Sequence, residues 1–245
     1  MTDRSTRSER EVGAALLALA GQESLPSRAL RAQDLIGAIP ELAALAETPQ
    51  DPRWHPEGDV LVHSLWAADL AAAHVDEHDV RPDRREVLVL AALFHDVGKP
   101  QTTRRQDGRI TSHGHAERGA DLFRTMGRRL ALPRPLVVAV AAIVETHMAH
   151  LSVRGEPTPK AVRRLRDRLL AAGTSLDEWG VVVRCDGEAR GPAARPDASE
   201  SWRSELPLRP IRPGGFDHRS SESGNRRLAF RSRGRSTAGS TVRRR

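Results

Sequence analysis

The sequence predicts an all-α fold, and three observations predict it. Apolar residues recur at spacings of three and four through most of the first 190 positions. The segments so defined begin at Asp, Ser, Thr or Pro and end near Gly or Pro, as helices do. The short apolar runs lack the turn residues that would make them strands. At 245 residues the chain has room for one domain with extensions or for two small ones. Aromatic residues are only 3% and tyrosine is absent, so the core must be built from Leu, Val and Ala.

In order, residues 1–10 are polar and form an expected disordered leader. "EVGAALLALAGQ" predicts a short helix ending at Gly21, and "SRALRAQDLIGAIPELAALAE" a helix, a break at Pro40 and a second helix. After the turn-rich "DPRWHPEGD", a helix over about 60–78 places His63, Trp66, Ala67 and Leu70 on one face. Asp83 with Glu86 three residues on reads as a capping box for the next helix. That helix continues as "VLVLAALF", apolar all round, the pattern of a central buried helix. Gly98 is its expected stop, with Pro100 preventing resumption. A polar loop with the turn "QDGR" leads to a helix from His115 to Arg129 or Leu130. "RPLVVAVAAIVETHM" follows Pro133, "KAVRRLRDRLL" follows Thr158 and Pro159, and Ser175 or Asp177 caps the last helix, "EWGVVVRCDGEAR". Trp54 and Trp66 are expected as core anchors.

The net charge of +7 points at first to nucleic acid. Its distribution says otherwise: residues 191–245 hold 13 Arg against 5 acidic residues, whereas residues 1–190 hold 26 basic against 27 acidic. The body is neutral and the tail is basic, rich in Ser, Gly and Pro, and expected to be disordered, a solvated tail or a loose RNA contact. The single cysteine, Cys185, excludes an internal disulfide and suits a reducing cytoplasm. No apolar run approaches the roughly 20 residues of a membrane span, so no membrane partner is expected.

Ten histidines invite a check of where each one points. His63 shares a stripe with Trp66 and Leu70, and His95 follows Ala91 and Ala92 at helical spacing. His115 begins the stripe Gly119, Leu122 and Phe123. His147 follows Val140 and Val144, and Asp186 follows Trp179, Val182 and Val183. One histidine on an apolar face is usually a hydrogen-bonded core residue. Five polar residues doing so on five helices is different, because buried charges are costly unless paired or bound to metal. Imidazoles and carboxylates converging from several helices make a metal site, which activates water and polarises a phosphoryl oxygen. His and carboxylate ligation suits a divalent Mn, Ni, Co, Fe or Zn ion, as one ion or two.

The order H…HD…D, as His63, His95-Asp96 and Asp186, resembles the HD superfamily of metal-dependent phosphohydrolases. "HPEGDVLVH", "HDVGKP", "GHAERGA" and "RCDGEARG", in this order, are similar to the C-terminal HD region of bacterial CCA-adding tRNA nucleotidyltransferases, over about residues 30–190. The resemblance implies an HD-domain helical bundle at 51–190, neck-like helices at 11–50 and a basic tail at 191–245. It implies a phosphatase or phosphodiesterase acting on a nucleotide or RNA-end phosphoester, such as a 2′,3′-cyclic phosphate. Carried over, His63, His95, Asp96 and Asp186 match the ligands of one ion. His115 and His147 match positions that bind a second, and Lys99 matches the lysine expected to meet substrate phosphate. The nucleotidyltransferase head of that family has no counterpart in the roughly 30 residues before the match, so the chain is not expected to add CCA. Two other readings stay open: an RNA-binding or polymerase-partner module with a structural metal, and a nucleoside monophosphate or deoxynucleotide phosphohydrolase of another HD branch. Lys99 could equally cap carbonyls at its helix end.

Overall fold

The structure is a computed structural model that describes residues 7–78, 80–153 and 155–204. Helix α1 (Glu9–Gln22) starts inside the expected leader, because Ser8 and Glu11 exchange hydrogen bonds in a capping box. The next stretch breaks twice, at Asp34 with a φ of 55° and before Pro40, giving α2 (Pro26–Ala32), α3 (Leu35–Ala38) and α4 (Pro40–Ala43). Leu16, Leu30, Leu35, Ile39 and Leu42 are fully buried and join the same core cluster as the later helices.

Helix α5 (Val60–Glu77) is capped by Asp59, which accepts from the Val62 amide. Helix α6 (Pro82–Phe94) is buried continuously from Val87 to Phe94 and packs against α1 and α5. Its cap lies two residues before the expected Asp83: Arg81 holds the cap position and Pro82 the first turn, where its fixed φ favours a start. Asp83 instead accepts from the Arg81 guanidinium.

Gly98 and Pro100 also differ from expectation. Gly98 has a φ of −80°, so it is not a left-handed stop, and a short helix, α7 (Lys99–Thr102), resumes with Pro100 in its first turn. What Gly98 supplies is space. A Cβ there would overlap the His115 carbonyl oxygen and come within 2.7 Å of the Gly119 amide nitrogen.

The polar loop is a two-stranded antiparallel hairpin, β1 (Arg104–Gln106) and β2 (Arg109–Thr111), with Arg105 opposite Ile110. Asp107 and Gly108 both take positive φ, as a tight two-residue hairpin turn requires. Helix α8 (His115–Arg129) pairs with α9 (Arg134–Thr146), which continues as a six-residue 3₁₀ segment, His147–Ser152. Together α9 and that segment form one stretch of 19 residues, Arg134–Ser152, long and apolar enough to cross a membrane, longer than the apolar runs seen in the sequence; more than half of it is buried inside the fold. Thr158 caps α10 (Pro159–Ala171), and Ser175 makes a capping box for α11 (Leu176–Glu188). Helix α11 packs against α5 and α6 and brings Asp186 to the middle of the bundle.

Order extends past the expected start of the tail. Residues Gly191–Ala193 make a 3₁₀ turn and Glu200–Ser204 a short helix, α12. Trp202 is buried there, its ring centroid 5.7 Å from that of Trp179. A large apolar ring supplied an anchor that composition alone concealed. Residues 205–245, the rest of the expected tail, lie outside the described residues, as do residues 1–6 of the leader.

Trp54 and Trp66 are not core anchors: they are 49% and 43% exposed. The buried arc of α5 runs through His63, Ser64, Ala67, Ala68 and Ala71, which turns Trp66 outward. Cys185 is buried, and burial pushes its thiol up to about 12, so it is a packing residue.

Candidate metal centre

The six predicted residues meet at one place, delivered by five elements. His63 comes from α5, His115 opens α8 and Asp186 comes from α11. His95 and Asp96 lie in the turn just past α6, and His147 just past α9. All six are buried.

Each imidazole is aimed by its outer nitrogen. His95 Nδ1 donates to the Ala92 carbonyl, His115 Nδ1 to Ser112 and His147 Nδ1 to Val144, each at 2.7 Å. A carbonyl only accepts, so these rings carry a proton on Nδ1 and turn Nε2 inward, open to a metal or a second proton. His63 Nδ1 lies 2.7 Å from the Glu57 carboxylate, with the same consequence.

The inward atoms fall into two groups joined by Asp96. In the first, His95 Nε2 is 3.2 Å from Asp96 Oδ2 and 3.8 Å from Asp186 Oδ1, while His63 Nε2 is 3.1 Å from that same Asp186 oxygen. In the second, Asp96 Oδ1 is 3.3 Å from His115 Nε2 and 3.9 Å from His147 Nε2. The two carboxylate oxygens of Asp96 therefore face different sets of imidazoles. His63, His95 and Asp96 offer ligand atoms close enough for one ion, and so do Asp96, His115 and His147.

The donor set fits a divalent metal. His95 Nε2 is buried without a hydrogen-bond partner, a costly state for an imidazole nitrogen. His115 Nε2 and His147 Nε2 are 3.2 Å apart, a distance at which two unprotonated nitrogens would repel. A shared cation between them, a proton or a metal, relieves that repulsion.

The titration pattern agrees. Burial opposes ionisation of Asp96, but Lys99 and His95 outweigh it and hold the carboxyl well below the usual range. Asp186 is likewise held low, against burial, by its hydrogen bond with His63. Burial and the neighbouring His115 and His95 push His147 down to about 3, so it is neutral at pH 7. His115 is raised despite burial, through its hydrogen bond to Asp96.

Lys99 sits at the floor of the adjoining cavity, its Nζ 2.6 Å from Asp96 Oδ2 and 2.7 Å from Gln50 Oε1. It is thus held by side chains and not by helix carbonyls. The cavity, about 690 Å³, is lined by Asp96, His115, His147 and Asp186 together with Lys99 and Arg190. Arg190 also lies 3.2 Å from Asp186 Oδ1.

Glu57 went unseen in the sequence. Its side chain is fully buried and accepts from His55 and His63, at 2.8 and 2.7 Å. Burial favours its neutral form, yet those two hydrogen bonds hold its pKa below the ordinary value. A carboxylate behind a ligating histidine fixes the ring and raises its basicity. The six-residue step from Glu57 to His63 has no helical period, so only the folded turn "HPEG" brings the two together. Of the other histidines, His113 is exposed on the cavity wall. His74 accepts from Arg184 on α11 at 2.8 Å, and His150 donates to the His147 carbonyl at 2.9 Å.

The HD domain family matches residues 60–172, which hold five of the six converging residues. The chain is 31% identical over 225 residues to a CC-adding tRNA nucleotidyltransferase of Thermus thermophilus, covering 82% of this chain and 45% of that protein. It is 30% identical over 174 residues to a multifunctional CCA protein of Nitrosococcus oceani, covering 69% of this chain and 40% of the relative. A multifunctional CCA protein of Halorhodospira halophila is 35% identical over 141 residues, or 55% of this chain and 31% of its own. The chain spans less than half the length of these relatives. It is an HD-domain protein, related to the CCA-adding tRNA nucleotidyltransferases.

Proposed function

We propose that this chain is a metal-dependent phosphohydrolase acting on a nucleotide or RNA-end phosphoester, with 2′,3′-cyclic phosphates and 2′-nucleotides as its favoured class. The observation that carries the reading is the convergence of four inward Nε2 atoms and two carboxylates beside a cavity that Asp96, His115, His147 and Asp186 line together with Lys99 and Arg190. His63, His95, Asp96 and Asp186 would hold one divalent ion, and Asp96, His115 and His147 a second. Such an ion lowers the pKa of a nucleophilic water and polarises a phosphoryl oxygen. Mn, Ni, Co, Fe and Zn all suit this ligation.

The chain's own residues supply the rest. Asp96, kept ionised, accepts a hydrogen bond from the attacking water and orients it. Lys99, already at the cavity floor, shifts part of its charge from Asp96 to the substrate phosphate. Arg190 adds positive charge on the same wall. Glu57 keeps the His63 ring in place through turnover. The Thermus thermophilus relative carries tRNA in its name, which favours an RNA end or its nucleotide as substrate.

The test is a substrate panel with added Mn²⁺, Ni²⁺ or Co²⁺: bis-nitrophenyl phosphate, adenosine 2′,3′-cyclic phosphate, adenosine 2′-monophosphate and a deoxynucleoside 5′-monophosphate. Hydrolysis of the first three, lost with chelator and restored by metal, is expected. Hydrolysis of the 5′-monophosphate alone would move the chain to another branch of the superfamily. No hydrolysis of any ester would leave a binding module with a structural metal.

A further inference from the structure

Trp54 is a large aromatic side chain that the fold does not use for its core. Half of it is exposed, and it lines the same cavity as the His–Asp cluster. Its position is fixed all the same. The Trp54 and His55 amides both donate to the Asp51 carbonyl, at 3.0 and 2.9 Å. The Arg53 guanidinium grips the Asp51 carboxylate through two bonds of 3.0 and 2.6 Å. His55 is tied to the buried Glu57. The indole is therefore presented on a rigid turn, with the Arg195 guanidinium 4.4 Å from its ring centre. Leu151, 65% exposed, adds a second apolar side chain to the cavity wall. The cavity thus has charged groups at one place and an open aromatic surface at another, the division a nucleotide needs: phosphate to charge, base to ring. Its volume exceeds the roughly 300 Å³ at which small-molecule sites begin.

We propose that Trp54 is the base-recognition residue of this cavity: the nucleobase of a nucleoside phosphoester stacks on its indole while the phosphate reaches Lys99 and the His–Asp cluster. The phosphate end of this arrangement rests on the phosphohydrolase reading, but the stack is a binding contact that needs no turnover. Arg195 covers part of the ring and adds a planar cation beside the base. Stacking tolerates any base, so the site discriminates nucleosides from bare sugar phosphates and not one base from another.

The test measures binding by calorimetry with Mn²⁺ present. One ligand is an adenosine analogue with a 2′-phosphonomethyl group, whose C–P bond resists hydrolysis; the other is the same sugar phosphonate with methoxy in place of the base. In the wild-type protein the base should tighten binding by about tenfold, the effect of a single stacking contact. Trp54→Ala should erase that ratio without changing affinity for the base-free ligand, and Trp54→Phe should keep most of it, with both variants melting like wild type. The proposal falls if Trp54→Ala leaves the ratio unchanged, if wild type shows no preference for the base, or if neither ligand binds. If the ratio behaves as expected while no phosphoester is hydrolysed, the stack stands and the phosphohydrolase reading fails alone.

Discussion

Asp96 shows what one residue can do when both of its oxygens are used. Oδ2 faces His95 and Lys99, whereas Oδ1 faces His115 and His147, so a single carboxylate joins two sets of imidazoles. The identity of these residues was legible because each is a polar group at a helical position surrounded by apolar ones. Glu57 was not legible: it sits in a turn, and its meaning depends on a fold that points it at His63. Its effect can be measured directly. Glu57→Gln keeps the shape but removes the charge behind His63 and is expected to weaken metal affinity by about tenfold, with Glu57→Ala nearer 100-fold, in a competition titration of Mn²⁺. Affinity unchanged in both variants would show that the His63 ring does not depend on this carboxylate.

At the scale of elements, the site depends on helix ends meeting closely. The turn after α6 and the start of α8 touch through Gly98, where no Cβ fits against the His115 backbone. Gly98 already has an ordinary φ, so Gly98→Ala carries a steric cost without a conformational one. It should destabilise the protein by about 1–3 kcal/mol in a urea titration; a stability equal to wild type would mean that the two helix ends can separate freely. A second pair of elements carries a pH dependence. His74 on α5 is pushed down to about 4 by burial and by Arg184 on α11. Unfolded, it titrates near its ordinary 6.5 and binds more protons than the folded state between these values. Stability is therefore expected to fall as pH drops from about 6.5 towards 4, and His74→Gln should flatten part of that fall in melting curves at pH 7 and 4.5. Identical pH profiles would remove His74 from the account. Helix type and order were readable from apolar spacing and from caps such as Ser175 and Thr158. The hairpin was not, because its strands are three residues long and exposed, without alternation to mark them. Trp66 was misplaced because an apolar stripe marks a face, while the packing of α11 on α5 decides which part of it is buried.

The described residues form a helical core whose polar centre is supplied by residues far apart in the chain, from His63 to Asp186. The all-α class followed from a period that persists through the body. The extent of order past residue 190 did not, since it turns on contacts such as Trp202 against Trp179, Ser199 to the Gly180 carbonyl and Arg195 over Trp54, within a stretch of tail-like composition. Keeping six polar groups buried at the centre costs stability unless they are paired or bound to a cation, and that cost is what ties this fold to metal chemistry. The most direct test is the initial rate of bis-nitrophenyl phosphate hydrolysis by the Mn²⁺-loaded protein, wild type beside Asp96→Ala. Losing the carboxylate shared by both ligand groups should lower the rate by at least about 100-fold, the equivalent of roughly 2.7 kcal/mol, in a protein that still folds. Equal rates in the two proteins would contradict the assignment of this cluster as the reacting centre.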